Sequence, residues 1–271
     1  MDAVQVFLIV VFCIVVLGYL FIVFGESLSI LIFNKLSRIH RSPFRKKISV
    51  SQRIILSNEF TFFQKLSSEQ QQIFEHRLAC FESKYEFVGK GGFVITDQCR
   101  VLISATFVML TFGMRHYLID VFNKIIIYPQ SYFSTINQQY HKGEFNPRLK
   151  IVVFSWMDFQ EGFRIENDNL NLGLHEFSHA LYFHGVKGRD QSSVVFAETY
   201  VKLQKYLTES DVLRRLVDSD YFRIYGYTNQ MEFLAVVIEH FFETPQVFKS
   251  QFPVLYGYVR EMINFDETIL A

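Results

Sequence analysis

The chain is 271 residues long, 50% hydrophobic, with 27 basic and 27 acidic residues, a composition that fills one sizeable globular core plus something smaller and excludes disorder. The balanced charge gives no electrostatic footprint for nucleic acid or for a highly acidic substrate. Three cysteines (Cys13, Cys80, Cys99), an odd number with one in a strongly apolar stretch, exclude a disulfide framework and a cysteine metal site, and the 31 phenylalanines point to aromatic packing plus a membrane segment.

Residues 3–24 carry no charge, and 22 residues at about 1.5 Å each exceed a hydrocarbon layer of ~30 Å. They read as a transmembrane helix. A signal peptide fits less well, because Met1-Asp2 lacks a basic start and Leu-Phe-Ile-Val-Phe at 20–24 lacks a small-residue cleavage site. Lys35, Arg38, Arg41, Arg45, Lys46 and Lys47 follow with no acid between Asn34 and Asn58. Short basic flanks stay on the cytoplasmic side, so the expectation is a single-pass protein of the cell (inner) membrane, N-terminus outside and the bulk cytoplasmic. Three regions result: an anchor over 1–25 held in the lipid bilayer through residues 3–24, a basic juxtamembrane segment over 26–49, and a folded domain over 50–271. Residues 27–39 read equally as an amphipathic extension along the membrane surface or as a polar linker.

From 54 to 87 the apolar positions Ile55, Phe62, Phe63, Leu66, Ile73, Phe74, Leu78 and Phe81 fall at helical spacings, with Ser67-Ser68-Glu69 as a break and new N-cap. Gly89-Lys90-Gly91-Gly92 reads as a turn; the helical reading puts no strand before it, and it lacks the Lys-Ser/Thr ending of a phosphate loop. Residues 101–113 are too short to cross a membrane and predict a buried helix. The runs 124–129 and 149–156 read as buried strands. Between them the polar stretch 131–148 reads as a loop or flap, and a second polar connection follows Asp158. Further helices are predicted at 193–207, 211–217, 229–243 and after Pro253. There is no internal repeat.

The stretch that chemistry explains better than packing is Gly173-Leu-His-Glu-Phe-Ser-His-Ala-Leu-Tyr-Phe-His184. On a helix, His175 and His179 lie one turn apart on one face, so two imidazoles can bind one zinc ion, and Glu176 beside them can take a proton from the activated water. A catalytic zinc needs a third protein ligand. His184 is nearby, but Tyr182 stands where the metzincin pattern has its turning glycine, and His184 comes one residue early. The better candidate is a carboxylate from 229–243. There Glu232, Glu239 and Glu243, offset by seven and eleven positions, return to nearly the same angle and form an acidic stripe on an apolar helix. Buried carboxylates have partners or bind metals. Glu232 is therefore favoured as ligand and Glu239 as the group that orients a ligating histidine. Glu243 near the helix end reads as a solvated side chain, and His240 falls off the stripe.

Ile-Tyr-Pro at 127–129, Val-Val-Phe-Ser-Trp at 152–156, Asn-Leu-Gly-Leu-His-Glu-Phe-Ser-His-Ala-Leu from 171 and Met-Glu-Phe-Leu-Ala-Val-Val-Ile-Glu-His-Phe-Phe-Glu-Thr-Pro from 231 together resemble the MtfA-like zinc-dependent peptidases, the family named after the Mlc titration factor. The resemblance covers roughly residues 66–265. It implies an α+β, mainly α, zincin-like metallopeptidase domain of gluzincin type over 50–271, with a small β-sheet beside the active-site helix. It also implies His175, His179 and Glu232 as ligands of one Zn2+, Glu176 as general base, and Tyr225, seven residues before the ligating glutamate, as oxyanion donor; Tyr227 competes for that last role. Two departures stand out. Tyr182 replaces an Asp that many members carry, and the apolar N-terminus is an addition to the better-known members, so their repressor partner does not carry over. The expected function is a membrane-anchored zinc peptidase acting on a peptide or protein substrate and binding no nucleic acid. The alternative is a zincin-fold binding protein that holds a cytoplasmic regulatory protein partner at the membrane.

Overall fold

The computed structural model describes residues 3–33, 45–134, 138–165 and 167–269. Helix α1 (Ala3–Phe33) opens the chain. Its side chains are described over residues 4–20, where large apolar groups such as Phe7, Phe12 and Leu17 face outward. Among the described residues no helix is long and apolar enough to cross a membrane. This corrects the expected transmembrane anchor, and with it the inner-membrane location, the outward N-terminus and the bilayer contact through residues 3–24. The linker or surface extension expected at 27–39 lies in part outside the described residues.

Beyond it, local capping sets the helix starts. Ser49 and Gln52 form a reciprocal capping box at α2 (Val50–Glu59), and Ser67 and Gln70 form another at α4 (Ser68–Lys84), after the short α3 (Thr61–Lys65). Residues 86–89 are not the end of a helix: they form β1 (Glu86–Gly89). A strand therefore does precede Gly91 and Gly92, whose positive φ of 60° and 81° marks the turn. Thr96 caps α5 (Asp97–Leu110) through the Cys99 amide, and this helix is buried nearly throughout.

The β-branched run predicted as a strand is β2 (Lys124–Tyr128). Three further strands occupy the stretch read as a loop: β3 (Tyr132–Ser134), β4 (Gln139–His141) and β5 (Gly143–Asn146). β3 and β4 make an antiparallel hairpin. β6 (Ile151–Ser155) pairs parallel with β2 and antiparallel with β5, so the main sheet runs β1-β2-β6-β5 with β5 on its edge. The connection after Asp158 is helix α6 (Trp156–Arg164), started by Ser155, whose hydroxyl accepts from the Asp158 amide.

The remaining elements are helical: α7 (Leu172–Lys187), α8 (Gln191–Leu207), α9 (Ser210–Asp218), a 3-10 turn (Ile224–Thr228), α10 (Gln230–Glu243), α11 (Pro245–Gln251) and α12 (Pro253–Met262). α7 lies against β5 and β6 on one side and α10 on another. Its inner face is anchored by Phe177, whose ring meets Phe107, Phe154, Phe122 and Phe81 at centroid distances of 5.1, 5.3, 6.0 and 6.2 Å. Such edge and offset ring contacts add to plain burial, and they set which way α7 turns its polar residues.

Candidate metal centre

Asn171 starts α7 by accepting from the Leu174 amide at 3.0 Å, and with Phe177 fixed inward the same helix directs His175, Glu176 and His179 to one buried spot. Asn229 starts α10 in the same way, accepting from the Met231 and Glu232 amides. That cap places Glu232 opposite the two imidazoles. Its Oε2 stands 3.0 Å from His175 Nε2 and 3.4 Å from His179 Nε2, and one ligand atom from each of the three residues lies within 4.8 Å of the others.

The second nitrogen of His175 settles how the ring is used. Nδ1 lies 2.6 Å from Glu239 Oε1, and Glu239 is fully buried. Donating Nδ1–H to that carboxylate leaves the Nε2 lone pair turned toward Glu232. Glu232 Oε2 is shielded from solvent. Acceptors from three residues thus converge where a positive charge is favoured. The titration of the same groups has the same cause: burial opposes a charge on His175, yet Glu232 and Glu239 outweigh it and raise its pKa to about 10. Burial would raise the Glu232 carboxyl, but hydrogen bonds from His175 and His179 hold it far below the usual range. Two imidazoles and a carboxylate are a donor set for a divalent metal ion.

Glu176 is buried beside this cluster, and burial raises its carboxyl above the usual range, with His179 and His175 offsetting part of the effect. The Phe145 amide of β5 donates to it. The strand comes this close because position 143 has no side chain: a Cβ on Gly143 would sit 2.8 Å from Glu176 Cγ and Oε1. A cleft of about 630 Å3 opens here, its walls including Gly143, His175, Glu176, Arg223, Tyr225 and Glu239.

Tyr225 faces this cleft with its ring 5.9 Å from that of His175. Burial, then the charge of Glu232 and a hydrogen bond to it, raise its hydroxyl to about 12, so it stays a proton donor at neutral pH. Tyr227 is used elsewhere, its hydroxyl donating to the Leu216 carbonyl at 3.0 Å. His184 pairs with Asp190 at 2.9 Å, joining the end of α7 to the N-cap of α8. His240 is packed among Tyr221, Phe222 and Phe248, with its pKa lowered to about 4 by burial and then by Arg223. Tyr182 packs edge-on against Tyr200. Glu243 is not solvated: both its carboxylate oxygens are shielded, it borders a cavity of about 160 Å3 with Phe60, Phe163 and Phe242, and burial raises its pKa to about 8.

Two participants escaped the sequence reading. Gly143 lay in a polar stretch without alternation. Arg223 lay between aromatic residues, yet its Nη2 donates to both Glu239 oxygens at 2.7 Å; the one available signal was a basic residue two positions before Tyr225.

The model of the glucose-regulated metallo-peptidase M90 family matches residues 34–263. An uncharacterized protein of Synechocystis sp. is 27% identical over 242 residues, covering 80% of this chain and 85% of its own. Mlc titration factor A of Yersinia pestis and that of Yersinia pseudotuberculosis are each 22% identical over 206 residues, covering 69% of this chain and 74% of theirs.

Proposed function

The chain belongs to the glucose-regulated metallo-peptidase M90 family, and from that premise we propose that it is a zinc-dependent peptidase whose peptidase domain is residues 50–271. The observation that carries this reading is the convergence of His175, His179 and Glu232 beside a buried Glu176. His175, His179 and Glu232 hold the zinc. The ion, when bound, makes water more acidic and polarises a peptide carbonyl.

The chain's own groups do the rest. An extended peptide or protein segment lies in the cleft along β5, the edge strand. Glu176 takes the proton from the attacking water and returns it to the leaving amine; its raised pKa suits both steps. The Tyr225 hydroxyl donates to the carbonyl oxygen as negative charge develops there, a contact worth ~3 kcal/mol in comparable sites. Glu239 keeps His175 in the orientation that presents Nε2.

Glu176→Gln tests the catalytic assignment. In the full chain it is expected to keep one equivalent of zinc while peptide hydrolysis falls by about 10²–10⁴-fold. Undiminished hydrolysis in that variant would overturn the role given to Glu176. The name of the Yersinia relatives, Mlc titration factor A, favours a second reading in which the protein holds a regulatory protein. That reading predicts that the cellular effect survives in Glu176→Gln, whereas the peptidase reading predicts its loss.

A further inference from the structure

Glu239 is fully buried and carries the hydrogen bond that turns His175 toward the metal site. A buried carboxylate is costly unless its charge is met and its oxygens are bonded. His175 Nδ1–H satisfies one oxygen; both receive Arg223 Nη2, at 2.7 Å each. Oε1 therefore accepts from His175 and Arg223 together, and Nη2 stands 3.4 Å from the histidine nitrogen. A guanidinium, always charged and planar, can face a carboxylate and a second acceptor at once.

The second acceptor is informative. Arg223 Nη1 donates to the Asn169 carbonyl at 3.0 Å, just before the helix that carries His175. Asn169 has φ of 57°, the left-handed region that costs a side-chain-bearing residue energy unless its surroundings hold it there. They do: Arg223 holds its carbonyl and the Thr244 hydroxyl donates to its side chain at 2.8 Å. Arg223 also caps the turn bearing Tyr225, its carbonyl accepting from the Gly226 amide at 2.9 Å. One residue thus joins the entry to α7, the carboxylate on α10 and the start of the tyrosine turn.

We propose that Arg223 is a positioning residue of the metal centre, which fixes Glu239 against His175 and locks the Asn169 entry to α7, so that His175 and Tyr225 are held in register for one bound zinc ion. The inference rests on the zinc-peptidase reading above and deepens it. Removing the guanidinium frees Glu239 to turn away and lets the start of α7 relax, so zinc binding weakens even where the chain stays folded.

The test measures zinc affinity of the full-length wild type, Arg223→Met and Arg223→Lys by competition with a chromophoric chelator, alongside the melting temperature of each metal-free protein. Arg223→Met is expected to bind zinc about 10–100-fold more weakly at temperatures where both metal-free proteins are folded, its melting temperature falling because the buried Glu239 loses its guanidinium. Arg223→Lys keeps the charge but not the planar fork, and is expected to fall between the two. The visible absorption of the cobalt-loaded proteins, which reads ligand geometry and not global stability, is expected to shift in Arg223→Met. Wild-type zinc affinity in Arg223→Met overturns the inference while leaving the peptidase reading intact. Failure of the wild type to bind zinc overturns the peptidase reading itself. Should Arg223→Met not fold, Arg223→Lys carries the test, and wild-type affinity in that variant overturns the inference.

Discussion

The two ends of α10 carry chemically identical groups on one stripe, and they meet opposite fates. Glu232 at the N-terminal end faces two imidazoles and is held far below the usual carboxylate range. Glu243 at the C-terminal end faces Phe60, Phe163 and Phe242 and is raised to about 8. Glu239 between them is neutralised by Arg223 and bonded to His175. Helical spacing makes the three equivalent; what packs across from each decides whether it is a ligand, an orienting group or a buried acid. A periodic stripe therefore locates a functional helix, while the opposite surface assigns the roles.

Three substitutions would break or sharpen that contrast. The largest effect belongs to Glu232→Ala, which is expected to weaken zinc binding on the order of 100-fold or more, about 3 kcal/mol for one ligand of a site, read by chelator competition. An unchanged affinity would remove Glu232 from the site. Glu239→Gln keeps the shape but not the charge and is expected to cost about tenfold in the same assay; a loss as large as that of Glu232→Ala would erase the distinction between ligand and orienting group.

Glu243→Gln is expected to leave zinc binding alone and to act on stability. The folded protein holds the Glu243 proton more tightly than the unfolded chain, so this contribution is complete below the unfolded value and is lost as pH rises through about 8. Relative to the wild type, the Gln variant is expected to gain about 1–2 kcal/mol in denaturant unfolding between pH 4 and pH 9. A difference that does not grow with pH would mean that the Glu243 carboxylate is solvated after all.

What could be read in the sequence followed periodicity. The spacing of four between His175 and His179, and of seven between Glu232 and Glu239, survives any packing arrangement because a helix imposes it. The strands beside the site could not be read in this way. Gly143 to Asn146 has no alternation of apolar and polar residues, since one face meets α7 and position 143 must carry no side chain. Helix α6 was hidden by its polar residues, although Ser155 followed three positions later by Asp158 was an available N-cap signature. Arg223 acts through three long-range contacts that no local pattern encodes. At the N-terminus, composition predicted a membrane crossing, whereas among the described residues no helix is long and apolar enough to make one.

Phe177 sits between His175 and His179 in sequence and in the middle of the aromatic cluster in space. A helix tied to the core at that point cannot peel away alone: its amides should exchange with solvent only when the whole domain opens. The two imidazoles then leave their places together with the fold and not before it, and a divalent ion held between them would oppose global unfolding by mass action.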